Sequence, residues 1–327
     1  MRLPDVVSRG ASAAAIPPGV GWLGVASLVL LAGCQCKPVL PDDPSEDEDT
    51  SQPDTAPPPH TGDTAPPTVA GPCTITEVEP NNAPSDAMPL PLDTYLCGEF
   101  GAPLDLDTYT IELPEDGWLG VYFDAEIRGS FADGVISLTS EENGIGAERD
   151  NDDDSRDAHV VIPAPAGTYT AVIIERNFNG DESQYFYELV ASVAKDPFEG
   201  DAAEAEPNDT SETANLVSSG QRVEGLIGEP ADQDWYKVLV PAGRHTVVVD
   251  VDAYGLGSPT DLSVYAYENG VDAAPLTVAF GLAGAGADPY WSYVSSGNET
   301  LWFRLEEGNN SGGSAWWYGF VLTVEAS

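Results

Sequence analysis

From residue 73 onward the apolar positions fall in short runs with a period of two. In segment 185–193, Tyr185, Tyr187, Leu189, Ala191 and Val193 share one face, as a half-buried strand requires. Segments 109–113, 118–123, 135–138 and 169–174 are likewise rich in β-branched and aromatic residues. Segments 235–240, 246–251, 262–267, 301–305 and 316–324 repeat the theme further along. Gly, Pro, Asn and Asp separate these runs at the spacing of a β-sandwich. No segment sustains a 3.6-residue period beyond one turn near 211–216. The pattern predicts an all-β chain with two tandem β-sandwich domains of jelly-roll type, over 73–196 and 200–327. A short acidic linker around 195–203 joins them, and each unit is long enough for one core.

The N-terminal region follows different rules. Arg2 and Arg9 precede an apolar run from about 20 to 31 that ends Leu31-Ala32-Gly33-Cys34. The run is too short and one-sided for a membrane span and reads as a signal peptide over 1–33. Small residues before a cysteine resemble the bacterial lipoprotein cleavage box, which implies lipid on Cys34. Each buried acyl methylene would add roughly 0.8 kcal/mol of membrane anchoring. Gln35 is not the Asp that retains many lipoproteins at the inner membrane, so the expected address is the outer membrane of the cell envelope. Residues 34–72 are mostly Pro, Asp, Glu, Thr and Ser, with Asp-Thr-Ala-Pro-Pro occurring twice. Such a segment cannot bury enough apolar surface to order itself. It is expected to be a disordered, extended stalk with a reach on the order of 100 Å. In an oxidising compartment Cys73 and Cys97 are expected to form a disulfide, leaving Cys36 free.

A repeat divides the folded part. Residues 77–114 recur without a gap at 204–241, with twelve of 38 positions identical. Each copy opens Glu-x-Glu-Pro-Asn and closes Asp-x-Asp-x-Tyr. The offset of 127 also aligns Ala87 with Ala214, Gly98 with Gly225 and Pro114 with Pro241. A register held across turns and a loop marks a duplicated domain. Cys73 and Cys97 align with Gly200 and Glu224, so the disulfide belongs to the first unit alone.

These residues resemble the bacterial pre-peptidase C-terminal domain, a compact β-sandwich related to the collagen-binding modules of bacterial collagenases. The second unit carries Glu204, Glu206, Pro207, Asn208, Asp209, Thr210, Ala214, Gly225, Asp232, Asp234, Trp235 and Tyr236 in the family's order. Its final run, with Tyr318, Phe320, Leu322 and Val324, also fits. The first unit departs at Asn82, where the second has Asp209, and at Thr108, where it has Trp235. The resemblance implies calcium sites built from Glu204, Glu206, Asn208, Asp209, Asp232 and Asp234, and from Glu77, Glu79, Asn81, Asn82, Asp105 and Asp107. The chemistry agrees, since Ca²⁺ takes six to eight hard oxygen ligands. Alternation places Glu204 with Glu206, and Asp232 with Asp234, on common sides of extended segments. Two carboxylates about 5 Å apart repel by roughly 3 kcal/mol at an effective dielectric near 20. The competing reading is that these acids cap turns and bind backbone amides without metal.

Composition narrows the function. Fifty-five acids against 12 bases give a net charge of −43, which argues against nucleic acid and anionic lipid headgroups as partners. Three histidines, His60, His159 and His245, lie in no zinc or nucleophile motif, so the chain is read as a non-enzyme. Composition alone leaves a glycosidase-like acid pair open. The acid run at 150–154 with Asp157 reads as a solvated hairpin loop. Trp291, Tyr293, Trp302, Trp316, Trp317 and Tyr318 crowd the last third and are mostly expected in the core. Trp317, opposite Tyr318 and Phe320 on a glycine-flanked strand, is the exposed ring expected to contact ligand. The expected function is a lipid-anchored, calcium-binding, non-catalytic module for an extracellular protein or polysaccharide. The alternative is a structural surface spacer without a ligand.

Overall fold

A computed structural model describes residues 73–150, 155–268, 275–280 and 288–327. The signal peptide, Cys34, Cys36 and the linker of 34–72 lie outside the described residues, as do 151–154 of the acid run. Among the described residues the architecture is all-β, with two short 3-10 turns and no α-helix. The first sandwich contains β1 (Ile75–Thr76), β2 (Met88–Pro89), β3 (Leu96–Glu99), β4 (Leu106–Leu113), β5 (Gly117–Asp124), β6 (Gly134–Ser140), β7 (Ile145–Arg149), β8 (Ala158–Ala164), β9 (Gly167–Glu175) and β10 (Phe186–Ala194). Two five-stranded sheets, β1-β3-β10-β5-β8 and β2-β4-β9-β6-β7, make its layers. Their alternating inner faces bury Leu96, Tyr109, Ile111, Val121, Phe123, Ile136, Ile173, Tyr187 and Leu189 in one core.

The second sandwich contains β11 (Ala202–Ala203), β12 (Asn215–Leu216), β13 (Gln221–Leu226), β14 (Gln233–Asp252), β15 (Leu262–Glu268), β16 (Thr277–Phe280), β17 (Tyr290–Glu307) and β18 (Trp317–Ala326). Here the expected strands at 235–240 and 246–251 are one long strand, β14. It pairs with β17 along most of its length and turns at a register shift between Ala242 and His245. The strand passes from one layer to the other at that bulge, a usual way to make a sandwich corner. Gly297 faces the corner with a φ of 84°, and a Cβ there would lie 2.0 Å from the Gly243 carbonyl oxygen. Only glycine lets the two chains come this close. In the first sandwich the same path is broken into β4 and β5. Aliphatic and aromatic side chains of β14, β15, β17 and β18 fill the second core.

The sandwiches meet at the edge strand β8. An edge strand leaves backbone groups unpaired, and the second sandwich covers two of them. The Val161 amide donates to the Gly257 carbonyl (2.8 Å), and the Trp317 indole N–H donates to the Val161 carbonyl (2.7 Å). Trp118 meets Trp317 edge to face at 5.1 Å between centroids. Arg149 is buried, donates to the Ser258 carbonyl (2.8 Å) and lies over the Tyr254 ring. Trp317 is only 4% exposed, which corrects the expectation of a solvent-facing ring. Alternation along one strand does put Trp317 opposite Tyr318. The far face of that strand is closed by another sandwich instead of water.

Candidate metal centres

The opening motif of each unit follows its first short strand, bends at the second glutamate and carries a cis Glu-Pro bond, Glu79–Pro80 in one and Glu206–Pro207 in the other. The backbone locks each motif to the next strand. Thr108 donates its amide to the Asn81 carbonyl, and Trp235 to the Asn208 carbonyl, both at 3.0 Å. The buried strand positions of the closing motifs, Asp107 and Asp234, are thereby brought under the two glutamates. Carboxylate oxygens of Glu77, Glu79 and Asp107 all lie within 4.8 Å of one another, as do those of Glu204, Glu206 and Asp234.

The surroundings are the same in both. In the first centre Glu77 accepts from the Asn81 side-chain amide (2.6 Å), the Glu99 backbone amide (2.9 Å) and the Tyr109 hydroxyl (2.5 Å). The Tyr187 hydroxyl donates to Asp107 (2.6 Å) and touches Tyr109 (2.7 Å). In the second, Glu204 accepts from Leu226 N (2.6 Å), Tyr236 (2.9 Å) and Tyr318 (3.0 Å), and Tyr318 reaches Asp234 at 2.6 Å. Glu79 and Glu206 each accept the amide of the Asn two residues on. These partners are amides and hydroxyls, with no Lys, Arg or His among the described residues. Each centre also buries two oxygens without a hydrogen-bond partner: Asn81 Oδ1 with Asp107 Oδ1, and Asn208 Oδ1 with Asp234 Oδ1.

Electrostatics follow from that enclosure. Burial, then repulsion from Glu77, lifts Asp107 to about 9 against the opposing bond from Tyr187. Burial, then Glu204, does the same for Asp234, also to about 9. Glu204 is pushed up by burial as well. The four tyrosines are raised by burial and stay protonated donors. Three charges within 4.8 Å repel by roughly 3 kcal/mol per pair at an effective dielectric near 20. A proton or a cation must relieve this. The three carboxylates and the amide oxygen are hard ligands of the type Ca²⁺ takes.

The other predicted ligands stand apart from the trios. Asp105 accepts the Gly101 amide (2.8 Å) and the Asn82 side-chain amide (3.0 Å). Asp232 accepts the amides of Gly228 (2.7 Å) and Gln233 (2.9 Å). Alternation failed here because neither acid lies on the strand: the preceding Leu104 and Ala231 have φ of 69° and 70°, so each Asp belongs to a turn. Asp209 is exposed beside Asp232, and partial desolvation and then that neighbour raise its pKa.

Sequence reasoning missed Tyr187 and Tyr318 as members of the centres. The signal was in the repeated glycine. Gly98 faces Tyr187 across the sheet, and Gly225 faces Tyr318. A Cβ would fall 2.4 Å from the first ring and 2.2 Å from the second. The two tyrosines are 131 residues apart while the motifs are 127 apart, so the constant offset hid their equivalence. Cys73 and Cys97 form a disulfide with Cα atoms 5.5 Å apart. At the aligned positions the Gly200 amide donates to the Glu224 carboxylate.

No family model and no curated protein matches the chain. Among solved structures it is similar to the pre-peptidase C-terminal domain of the collagenase from Bacillus anthracis, at 19% identity and a TM-score of 0.27, over 34% of this chain and 100% of that one. It is also similar to the tandem CBM51 modules of the family 98 glycoside hydrolase from Streptococcus pneumoniae SP3-BS71, at 7% identity and a TM-score of 0.24, over 72% of this chain and 85% of that one. Both likenesses are too distant to bear on ligand or activity.

Proposed function

We propose that the chain is a non-catalytic binding module of the cell envelope, whose sandwiches are each loaded with calcium and presented to an extracellular protein or polysaccharide. Lipid on Cys34 would hold it to a membrane, the outer membrane being favoured by Gln35. The observation that carries the calcium reading is the duplicated trio. Two copies keep three converging carboxylates, two tyrosine donors and two unpartnered buried oxygens. Acids that merely capped turns would have satisfied oxygens, as Asp105 and Asp232 do. Bound calcium would offset two of the trio's three negative charges and tie the opening motif to the strand that carries the aspartate. A calorimetric calcium titration of the full-length protein tests this, with Glu206→Gln and Asp234→Asn as controls. Saturable binding reduced by either variant supports the reading; a flat trace rejects it. A second reading, a structural spacer without ligand, draws support from the burial of Trp317, which removes the exposed ring a binding platform would use.

A further inference from the structure

A cavity of about 230 Å³ opens at the junction of the sandwiches. Trp118 and Pro163 of the first sandwich and Leu226, Trp317 and Tyr318 of the second form its mainly apolar walls. Three carboxylates complete the lining, from Asp196, Glu204 and Glu224. Two of them, Asp196 and Glu224, are neighbours, and Asp196 helps to push Glu224's pKa up, after burial. Glu204 is already engaged by Leu226 and two tyrosines, so the pair at Asp196 and Glu224 is the charged feature left to meet an occupant.

The pair is held in place by backbone. Asp196 Oδ1 accepts the amides of Phe198 (3.0 Å) and Glu199 (3.1 Å), and Glu224 Oε1 accepts that of Gly200. Arg222, the nearby cation, donates to the Phe198 carbonyl, lies over the Phe198 ring and partly offsets the charge of Glu224. The second oxygen of each acid takes none of these amide bonds. An occupant must therefore be apolar along most of its length and positive at one end. Indole rings favour a cation as well as an alkyl chain. A guanidinium gains most from two parallel acceptors on one carboxylate, and at Asp196 and Glu224 one oxygen of each is already engaged by backbone amides. A compact ammonium on a flexible methylene stem suits two single oxygens from different acids.

We propose that this cavity is a docking site for a lysine side chain of a partner polypeptide, its methylenes along the apolar walls formed by Trp118, Pro163 and Leu226 and its ammonium bridging Asp196 and Glu224. This names the partner chemistry for the binding-module reading and rests on that reading, but it does not require calcium. It also gives Trp317 a part in recognition as a wall of an inter-sandwich cavity. The strand edge it covers explains why the ring is held rigidly.

The test is an amide NMR titration of the full-length protein with Nα-acetyl-lysine methylamide, its norleucine counterpart and its arginine counterpart, in calcium and in chelator. The lysine probe is expected to shift the amides of Gly225 and Leu226 and to bind about tenfold tighter than norleucine, the scale of a charged hydrogen bond. Asp196→Asn and Glu224→Gln should each remove most of that preference while leaving weak norleucine binding unchanged. Should Glu224→Gln disturb folding through the Gly200 bond, Asp196→Asn decides. Equal affinity for lysine and norleucine, tighter binding of arginine, or no shift in either condition overturns the proposal. Calcium binding by the same samples is read separately, so the two readings can fail independently.

Discussion

The two acidic centres share their inner trios and differ just outside them. In the first, the Asn82 amide donates to Asp105, so a neutral group satisfies a charged one. In the second, Asp209 lies beside Asp232 and its pKa is raised, so two acids face each other where the first unit has an amide and an acid. The staples beside them differ in the same sense: a disulfide links Cys73 to Cys97, whereas Gly200 donates to Glu224. Outside its trio the first unit relies on covalent and neutral contacts. The second leaves more negative charge in need of a counter-ion. Duplication has kept the geometry that collects the carboxylates and let their compensation diverge.

The largest expected break in this comparison comes from the disulfide. Closing a loop of this length, with a sequence separation of 24, restricts the unfolded chain by about 3 kcal/mol. Cys73→Ser with Cys97→Ser should lower the stability of the first sandwich by that order. Hydrogen exchange should show the loss in β3 and β10 and little change in β13 and β18; equal loosening of both would dissolve the distinction.

Next come the glycines that admit the tyrosines. Gly98→Ala and Gly225→Ala would each force a buried tyrosine aside, at about 1–3 kcal/mol for overpacking. Calcium affinity should drop at the altered centre alone, measured by titration of each variant. A normal melting temperature with intact binding would show that the close approach is unimportant.

The pH dependence should distinguish the protonated from the metal-loaded state. Asp107 and Asp234 bind protons more tightly when folded, with pKa values near 9, against roughly 3.9 in an unfolded chain. Without calcium, their contribution to stability is complete below about 4 and declines as pH rises towards 9. Calcium displaces those protons, so binding at neutral pH should release protons and strengthen as pH rises. Calorimetry in buffers of different ionisation enthalpy reads the release directly.

The smallest effect concerns the outer pair. Asp209→Asn should recreate the Asn82–Asp105 bond, raising the stability of the second sandwich in chelator by about 1 kcal/mol. Its dependence on calcium should shrink towards that of the first. No change in the melting temperature in chelator would mean that solvent already neutralises the Asp209–Asp232 pair.

Much of this was legible in the chain. Alternation marked the strands because side chains of a sheet point to opposite faces in turn, and the repeat marked two equivalent units because motif spacing survives duplication. The same alternation led to the expectation that Glu204 and Glu206 share a side. Asp105 and Asp232 did not follow it, because a left-handed residue before each turns the chain out of the strand, and local sequence showed no such kink.

By itself, then, the sequence determined the all-β class and the duplication, since these depend on local periodicity and repeated spacing. The tertiary structure alone decided which tyrosines close over the carboxylates, which acids converge and which serve turns. It also decided that Trp317 is buried at the edge of β8. Those outcomes depend on contacts between segments far apart in the chain, where insertions shift the offset and where one sandwich supplies the surface that covers the other.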